Sequence, residues 1–192
     1  MRRYGYKPII YDSFNRANGN LGNADSGQAW LSDGSATNRW VISSNVAKRS
    51  DATSLNTDVA YINCGKSDVT ISADVVMHYT YGTYLVARMT GSSFANSMSV
   101  YLDQSGQVAV QKTISGAATT LGLTTFSYTY GSVINCVFSC IGNDFKVYIN
   151  GVLKVSVTDD NVLKTNTMCG MHIKLAGTTT SDDYFDNFLL KG

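Results

Sequence analysis

VINCVFSCIGNDFKVYINGVLKVSV, from Val133 to Val157, is the stretch that decides the fold. Val133 to Ile141 reads as a long buried strand, rich in β-branched and aromatic residues that suit a pleated surface. Gly142-Asn143-Asp144 supplies a turn, and Phe145 to Ile149 pairs back. Asn150-Gly151 is the dipeptide favoured in a two-residue type I′ hairpin, because both central residues there need positive φ. Val152 to Val157 follows it.

The same alternation extends outward in both directions. Val69, Ile71, Ala73 and Val75 fall on one face of a strand, with Thr70, Ser72 and Asp74 on the other. Tyr84 to Met89 reads as an apolar strand carrying Arg88, and Met98 to Leu102 alternates again. Asp103-Gln104-Ser105-Gly106 turns the chain, and Gln107 to Ile114 returns with Val108, Val110 and Ile114 on one face. Met168 to Leu175 and Tyr184 to Leu190 close the chain. Helical periodicity is nearly absent. The pattern predicts an all-β antiparallel sandwich of about 10–13 strands, not a parallel α/β sheet. Residues 15–54, rich in Asn, Ser, Gly and Asp, and residues 177–183 read as loops.

Composition narrows the function classes. The chain has 192 residues, with 15 Lys+Arg against 14 Asp+Glu and a net charge of +1. Charged residues are only 15 %, so polarity comes instead from 21 Ser, 19 Thr and 15 Asn. A neutral balance without a basic block argues against nucleic acid, whose phosphates need clustered Lys and Arg. No run approaches a membrane helix. Residues 1–11 hold Arg2 and Arg3 but no apolar stretch of signal-peptide length, so the expectation is synthesis in a reducing cytoplasm.

The four cysteines agree with that expectation. Cys136 and Cys140 share a strand face about 13 Å apart along the strand, beyond the ~7 Å reach of a disulfide. Cys64 and Cys169 stand alone in the sequence, which leaves a cross-link of either to a distant partner open. No CxxC and no His at ligand spacing points to zinc. All four fit best as small buried hydrophobes.

Several segments in order resemble a concanavalin A-like, laminin-G-like jelly roll. Asp12-Ser13-Phe14-Asn15-Arg16-Ala17-Asn18-Gly19-Asn20-Leu21-Gly22 is similar to the DSFNRADGxLG start of such modules. Trp30 and Trp40-Val41-Ile42 fit the two tryptophans that follow it. Tyr84-Leu85-Val86-Ala87-Arg88 resembles the GLVAR strand, with Tyr84 in place of its Gly. Residues 101–121 are similar to the Y-x-V-x-L hairpin, residues 145–151 to VYVNG, and residues 184–188 to the closing FDNF strand. The resemblance covers residues 11–192 and implies two sheets of six or seven strands with the first and last strands adjacent. It predicts one domain over residues 12–192, preceded by an arm of residues 1–11. Modules of this type occur in carbohydrate-binding proteins, in glycosidase accessory domains and in bacteriophage virions, so the fold alone does not assign an activity.

Glycoside hydrolysis needs two carboxylates about 5–10 Å apart. The compact E-x-D-x-x-E run of catalytic jelly rolls is missing, and Asp159-Asp160 and Asp182-Asp183 read as turn residues. A glycosidase is therefore the weakest reading. His78 and His172 each sit on a strand without a nucleophile nearby and read as structural or solvent-facing. No EF-hand-like loop is present. The resemblance implies a structural calcium near adjoining termini, where Asp12 and Asp186 would fall, although both also fit simple turn caps.

Sugar binding stacks aromatic rings on the apolar faces of the sugar and surrounds them with polar groups. The best candidate is His78-Tyr79-Thr80-Tyr81-Gly82-Thr83-Tyr84 with Arg88, and Tyr128 and Tyr130 form a second aromatic loop. The ligand site is thus expected at Tyr79, Tyr81, Tyr84, Arg88, Tyr128 and Tyr130. Tyr and Arg serve protein interfaces equally well. The leading expectation is a non-catalytic bacteriophage surface protein, either a capsid decoration, a fibre or a tail adhesion module. Its partners would be other virion proteins, further copies of itself or a cell-surface glycan. The alternative is a free carbohydrate-binding module related to polysaccharide-degrading enzymes.

Overall fold

A computed structural model describes residues 9–32, 39–50, 59–78, 80–91, 94–160, 163–175 and 182–192. In chain order the strands are β1 (Ile10–Asp12), β2 (Gly19–Asn20), β3 (Leu31–Ser32), β4 (Trp40–Ser43), β5 (Val46–Arg49), β6 (Val59–Asn63), β7 (Val69–Val76) and β8 (Thr80–Met89). They continue as β9 (Ser97–Leu102), β10 (Gln107–Ile114), β11 (Ala117–Thr125), β12 (Val133–Ile141), β13 (Asp144–Ile149), β14 (Val152–Thr158), β15 (Met168–Leu175) and β16 (Tyr184–Lys191). The count exceeds the sequence expectation because β1, β2 and β3, of two or three residues each, are too short to show a period.

The strands form two antiparallel sheets. One runs β14-β13-β12-β7-β16-β5-β4-β2, with β1 also paired to β16; the other runs β11-β10-β9-β8-β15-β6-β3. First and last strands are adjacent, with Ile10 opposite Leu190 and Asp12 opposite Phe188. Ile10 to Asp12 therefore belong to the sheet, which shortens the expected arm; residues 1–8 lie outside the described residues. So does most of the predicted 177–183 loop.

The VINC–VSV meander forms as read. Cys136 to Ile141 pair with Asp144 to Ile149, and Ile149 pairs with Val152 across Asn150-Gly151. Those two turn residues have φ of 50° and 79°, the left-handed values a type I′ turn requires. Ser44-Asn45 turns β4 into β5 in the same way, with φ of 56° and 63°.

Alternation places the core between the sheets. Val69, Ile71, Ala73, Val75, Ile134, Cys136, Phe138 and Cys140 come from one sheet; Leu85, Ala87, Met98, Val100, Leu102, Met171 and Ile173 come from the other. Trp40 and Phe185 pack with ring centroids 6.1 Å apart, and Trp30 meets Phe188 edge-on at 5.1 Å. Burying each such side chain contributes about 1.5–3 kcal/mol.

Candidate functional site

Strand register builds one transverse row on the outer face of the seven-stranded sheet. His172 pairs with Val59 on one side and Tyr84 on the other. Tyr84 pairs with Tyr101, Tyr101 with Ala109, and Ala109 with Leu123. Cross-strand partners share a face, and the residues flanking them in sequence, among them Leu85, Val100, Leu102 and Met171, fill the inter-sheet core. The row must therefore point outward.

The outer face carries its own apolar cluster. Val59, Tyr61, Tyr84, Val86 and Met89 form it, with Phe94, Tyr101 and Met168 packed against them. The Tyr84 ring lies 5.0 Å from Tyr101, 5.2 Å from His172 and 5.4 Å from Phe94, measured between centroids. Phe94, from the β8–β9 connection, also lies 5.4 Å from His172. Tyr84 and His172 are buried, whereas Tyr101 and Phe94 are partly exposed and present the accessible ring faces. Gly82 makes this posture possible: a Cβ there would sit 2.1 Å from Cε2 of Tyr101, so the ring lies across a strand position without a side chain.

Polar groups border the rings. The Tyr101 hydroxyl donates to Asp103 Oδ2 at 3.3 Å. Asp103 Oδ1 accepts from Ser105 N at 2.9 Å, Ser105 Oγ at 2.6 Å and Gln107 N at 3.0 Å, which closes the β9–β10 turn on the same carboxylate. Burial, reinforced by the Asp103 charge, pushes the Tyr101 phenol up to about 12. Burial raises Tyr84 as well, helped by Tyr101 and Asp103. Both phenols stay protonated at neutral pH and can donate. Lys174 pairs with Gly82 at one side, and Val86, Ser99, Gln111 and Thr120 form the next row at the other. The buried hydroxyls of Ser99 and Thr113 find no hydrogen-bond partner among the described residues.

The sequence-predicted residues are only partly brought together. Tyr84 takes the outer face. Tyr81 contributes backbone to β8, but its side chain, like the whole of Tyr79, lies outside the described part. Tyr128 is half-buried, stacks obliquely on Phe126 at 5.5 Å and donates to Gln104 O at 3.1 Å. Tyr130 is exposed, with its ring edge-on to His78 at 5.5 Å. His78 is held by its backbone N–H, which donates to the buried Asp183.

Arg88 requires a correction. The sequence reading sets it close to the tyrosine cluster as a ligand contact, but it has a φ of 50° and the pairing slips between Met168 and Gly170 on β15. This bulge turns Arg88 inward while Met89 returns to the outer face. Its fully buried guanidinium donates to Ser67 O at 3.0 Å, Asp68 Oδ1 at 2.8 Å and Gly142 O at 2.8 Å. It also sits 5.5 Å from the Phe145 ring centroid. Arg88 ties one sheet to the other and offers nothing to an external ligand.

Tyr101, Phe94 and His172 are the residues that sequence reasoning passed over. The alternation Ser97, Ser99, Tyr101 against Met98, Val100, Leu102 could have placed Tyr101 outward. Nothing local in the sequence pairs it with Tyr84 or His172.

Both calcium candidates are engaged by protein groups. Asp12 is buried and accepts from Phe14 N at 2.9 Å, Arg16 Nη1 at 2.6 Å, Arg16 Nη2 at 3.0 Å and Trp30 Nε1 at 2.7 Å. Its carboxylate is spent on protein donors. Asp186 instead faces Asp74 across β16 and β7 and accepts from Asn187 N at 2.8 Å. Asp74 in turn accepts from Asn135 Nδ2 and Asn187 Nδ2, each at 2.9 Å. Among the described residues no group of three or more His, Cys, Asp or Glu could hold a metal ion. Nor is any helix there long and apolar enough to cross a membrane.

No family model matches the sequence, and no curated protein matches it. Solved structures do. The carbohydrate binding module CBM66 from Bacillus subtilis aligns with a TM-score of 0.69 at 17 % identity, covering 85 % of this chain and 95 % of that one. The GH43 protein BlXynB from Bacillus licheniformis aligns at 0.68 and 13 % identity, covering 100 % of this chain and 41 % of that one. Sheep galectin-11 aligns at 0.50 and 11 % identity, covering 71 % and 98 %. At these identities the likeness concerns the fold. Together with the two antiparallel sheets and the adjoining first and last strands, it shows that the chain has the fold of these proteins, an antiparallel jelly-roll β-sandwich.

Proposed function

We propose that the protein is a non-catalytic carbohydrate-recognition module that binds glycans on the outer face of its seven-stranded sheet. The observation that carries this reading is the row His172–Tyr84–Tyr101 with Phe94 against it. Its two partly exposed rings offer apolar faces to sugar C–H groups. Tyr101 OH, Asp103, Lys174 and Gln111 stand around them to exchange hydrogen bonds with sugar hydroxyls. An aromatic body with a polar rim suits a ligand that is itself half apolar. The likeness to a carbohydrate binding module supports the same reading. A catalytic reading draws less support: the one pair of facing carboxylates described above, Asp74 and Asp186, lies on the other sheet, with Asp74 held by two asparagine amides.

The biological setting we infer is the surface of a bacteriophage particle, as a capsid decoration, fibre or tail adhesion module made in the host cytoplasm. Support comes from the ordered resemblance, Asp12–Gly22 through Tyr184–Phe188, and from four cysteines that are all free thiols. A free carbohydrate-binding module is the competing setting. A glycan array with the purified protein tests recognition, and co-sedimentation with purified particles tests the setting. Binding to a defined glycan class supports the first claim, and an array without signal contradicts it. Particle association supports the second claim, and a solitary glycan-binding monomer contradicts it.

A further inference from the structure

Cys64 and Cys169 stand 105 positions apart in sequence, yet their sulfurs lie 3.3 Å apart. Register explains the approach. Cys169 of β15 pairs with Ile62 of β6, and the Cys64 backbone N–H just beyond β6 donates to Thr167 O at 3.0 Å. The two cysteines are thus diagonal neighbours on adjacent antiparallel strands, and both face the inter-sheet core. A disulfide bond is ~2.05 Å long, so the sulfurs need to close only about 1.3 Å, a distance within reach of two χ1 rotations. The other two thiols are set apart in chemistry: burial pushes Cys136 and Cys140 up to about 12, whereas Cys64 retains 7 % exposure.

We propose that Cys64 and Cys169 are a built-in dithiol that closes to an intramolecular disulfide, linking β6 to β15, when the folded protein meets a low-molecular-weight disulfide such as oxidised glutathione. Cys64 is the attacking group because it is the less deeply buried of the pair, 7 % exposed against 0 % for Cys169. The Cys169 thiol donates to its sulfur and lowers Cys64 to about 7, while the same bond and full burial raise Cys169. The carbonyls of Lys66 and Thr167, 3.1 and 3.0 Å from the Cys64 sulfur, accept its proton when it is the thiol. Cys64 thiolate attacks one glutathione sulfur, forming a mixed disulfide and expelling one glutathione thiolate. Cys169 then attacks Cys64 Sγ, its proton passing to the second departing glutathione thiolate. Two protein thiols and one glutathione disulfide become one protein disulfide and two reduced glutathiones.

The test is to incubate the folded full-length chain with oxidised glutathione, block free thiols under denaturing conditions, and map the peptides without reduction. The expected result is a 64–169 cross-link with two thiols, Cys136 and Cys140, still free. Because the bond closes a loop of more than a hundred residues, Tm should rise by about 5–15 °C and fall back on reduction. Cys64→Ser should abolish both the cross-link and the shift, and Cys136→Ser should retain both. Four blocked thiols at equilibrium, only a mixed disulfide with glutathione, or a bond that uses Cys136 or Cys140 would each overturn the proposal.

Discussion

Arg88 Nη2 donates to Asp68 Oδ1 at 2.8 Å, and the same carboxylate oxygen accepts Gly142 N at 3.0 Å, so one anion joins a buried cation of one sheet to a turn of the other. Arg88 is fully buried while the Asp68 side chain is 55 % exposed, which makes the two ends of the pair unequal. Removing the guanidinium leaves Ser67 O and Gly142 O without their donor. Removing the carboxylate leaves a buried charge. Asp68→Ala, which strands the buried guanidinium without its anion, should cost about 3–5 kcal/mol, and Arg88→Ala, which strands two carbonyls, about 1–3 kcal/mol, both read from urea denaturation midpoints. A folded Arg88→Met variant should keep wild-type glycan affinity, since the side chain never reaches the outer face. A loss of affinity without a loss of structure would contradict its inward placement.

Asp12 takes four hydrogen bonds from three residues, Phe14, Arg16 and Trp30. Asp12→Asn keeps the shape but turns an amide N–H₂ toward those donors and removes the charge opposite Arg16. The expected loss is about 2–4 kcal/mol. Because the carboxylate is already satisfied, added calcium or added chelator should leave Tm unchanged. A calcium-dependent rise would show that the termini bind the ion after all.

Asp186 gives a pH signature. Burial, then the Asp74 and Asp12 charges, raise its pKa above the usual carboxylate value, against the Asn187 N–H, which lowers it. A carboxyl with a raised folded pKa favours the folded state while protonated and opposes it once ionised. Its contribution is therefore lost as pH rises through the carboxylate range, and at neutral pH it remains unfavourable. Asp186→Asn should raise Tm by about 1–3 °C at pH 7. Below about pH 3.5 the gain should vanish, because both carboxyl and amide are then neutral. Thermal scans from pH 3 to pH 8 read the difference directly.

Gly82 tests the posture of the Tyr101 ring without deleting it. A methyl at this position displaces Cε2 of Tyr101 and approaches Leu102 O to 3.2 Å. Gly82→Ala should weaken glycan binding roughly tenfold, a change of about 1.4 kcal/mol. Calorimetric titration at a fixed temperature would measure it, and an unchanged affinity would separate ring posture from recognition.

The sandwich was legible wherever the signal is local. Asn150-Gly151 states its own turn, and Val69 to Val75 states its own faces. The site was less legible because it is assembled by register. Tyr84 lies on the outer face, as the alternation of β8 implies, but the bulge at Arg88 reverses the face of everything beyond it, and a positive φ on an arginine has no sequence signature such as Gly or Asn would leave. Tyr101 and His172 belong to strands that meet Tyr84 only through pairing. Cys64 and Cys169 are invisible for the same reason, since only the β6–β15 ladder brings them together.

Titration of the wild type and of Tyr101→Ala with a glycan selected from the array tests the central claim most directly. Recognition on the outer face predicts measurable binding by the wild type and at least a tenfold loss in the variant, with the strand signature in circular dichroism preserved. Equal affinity in the two proteins, or no binding by the wild type to any glycan, would contradict it.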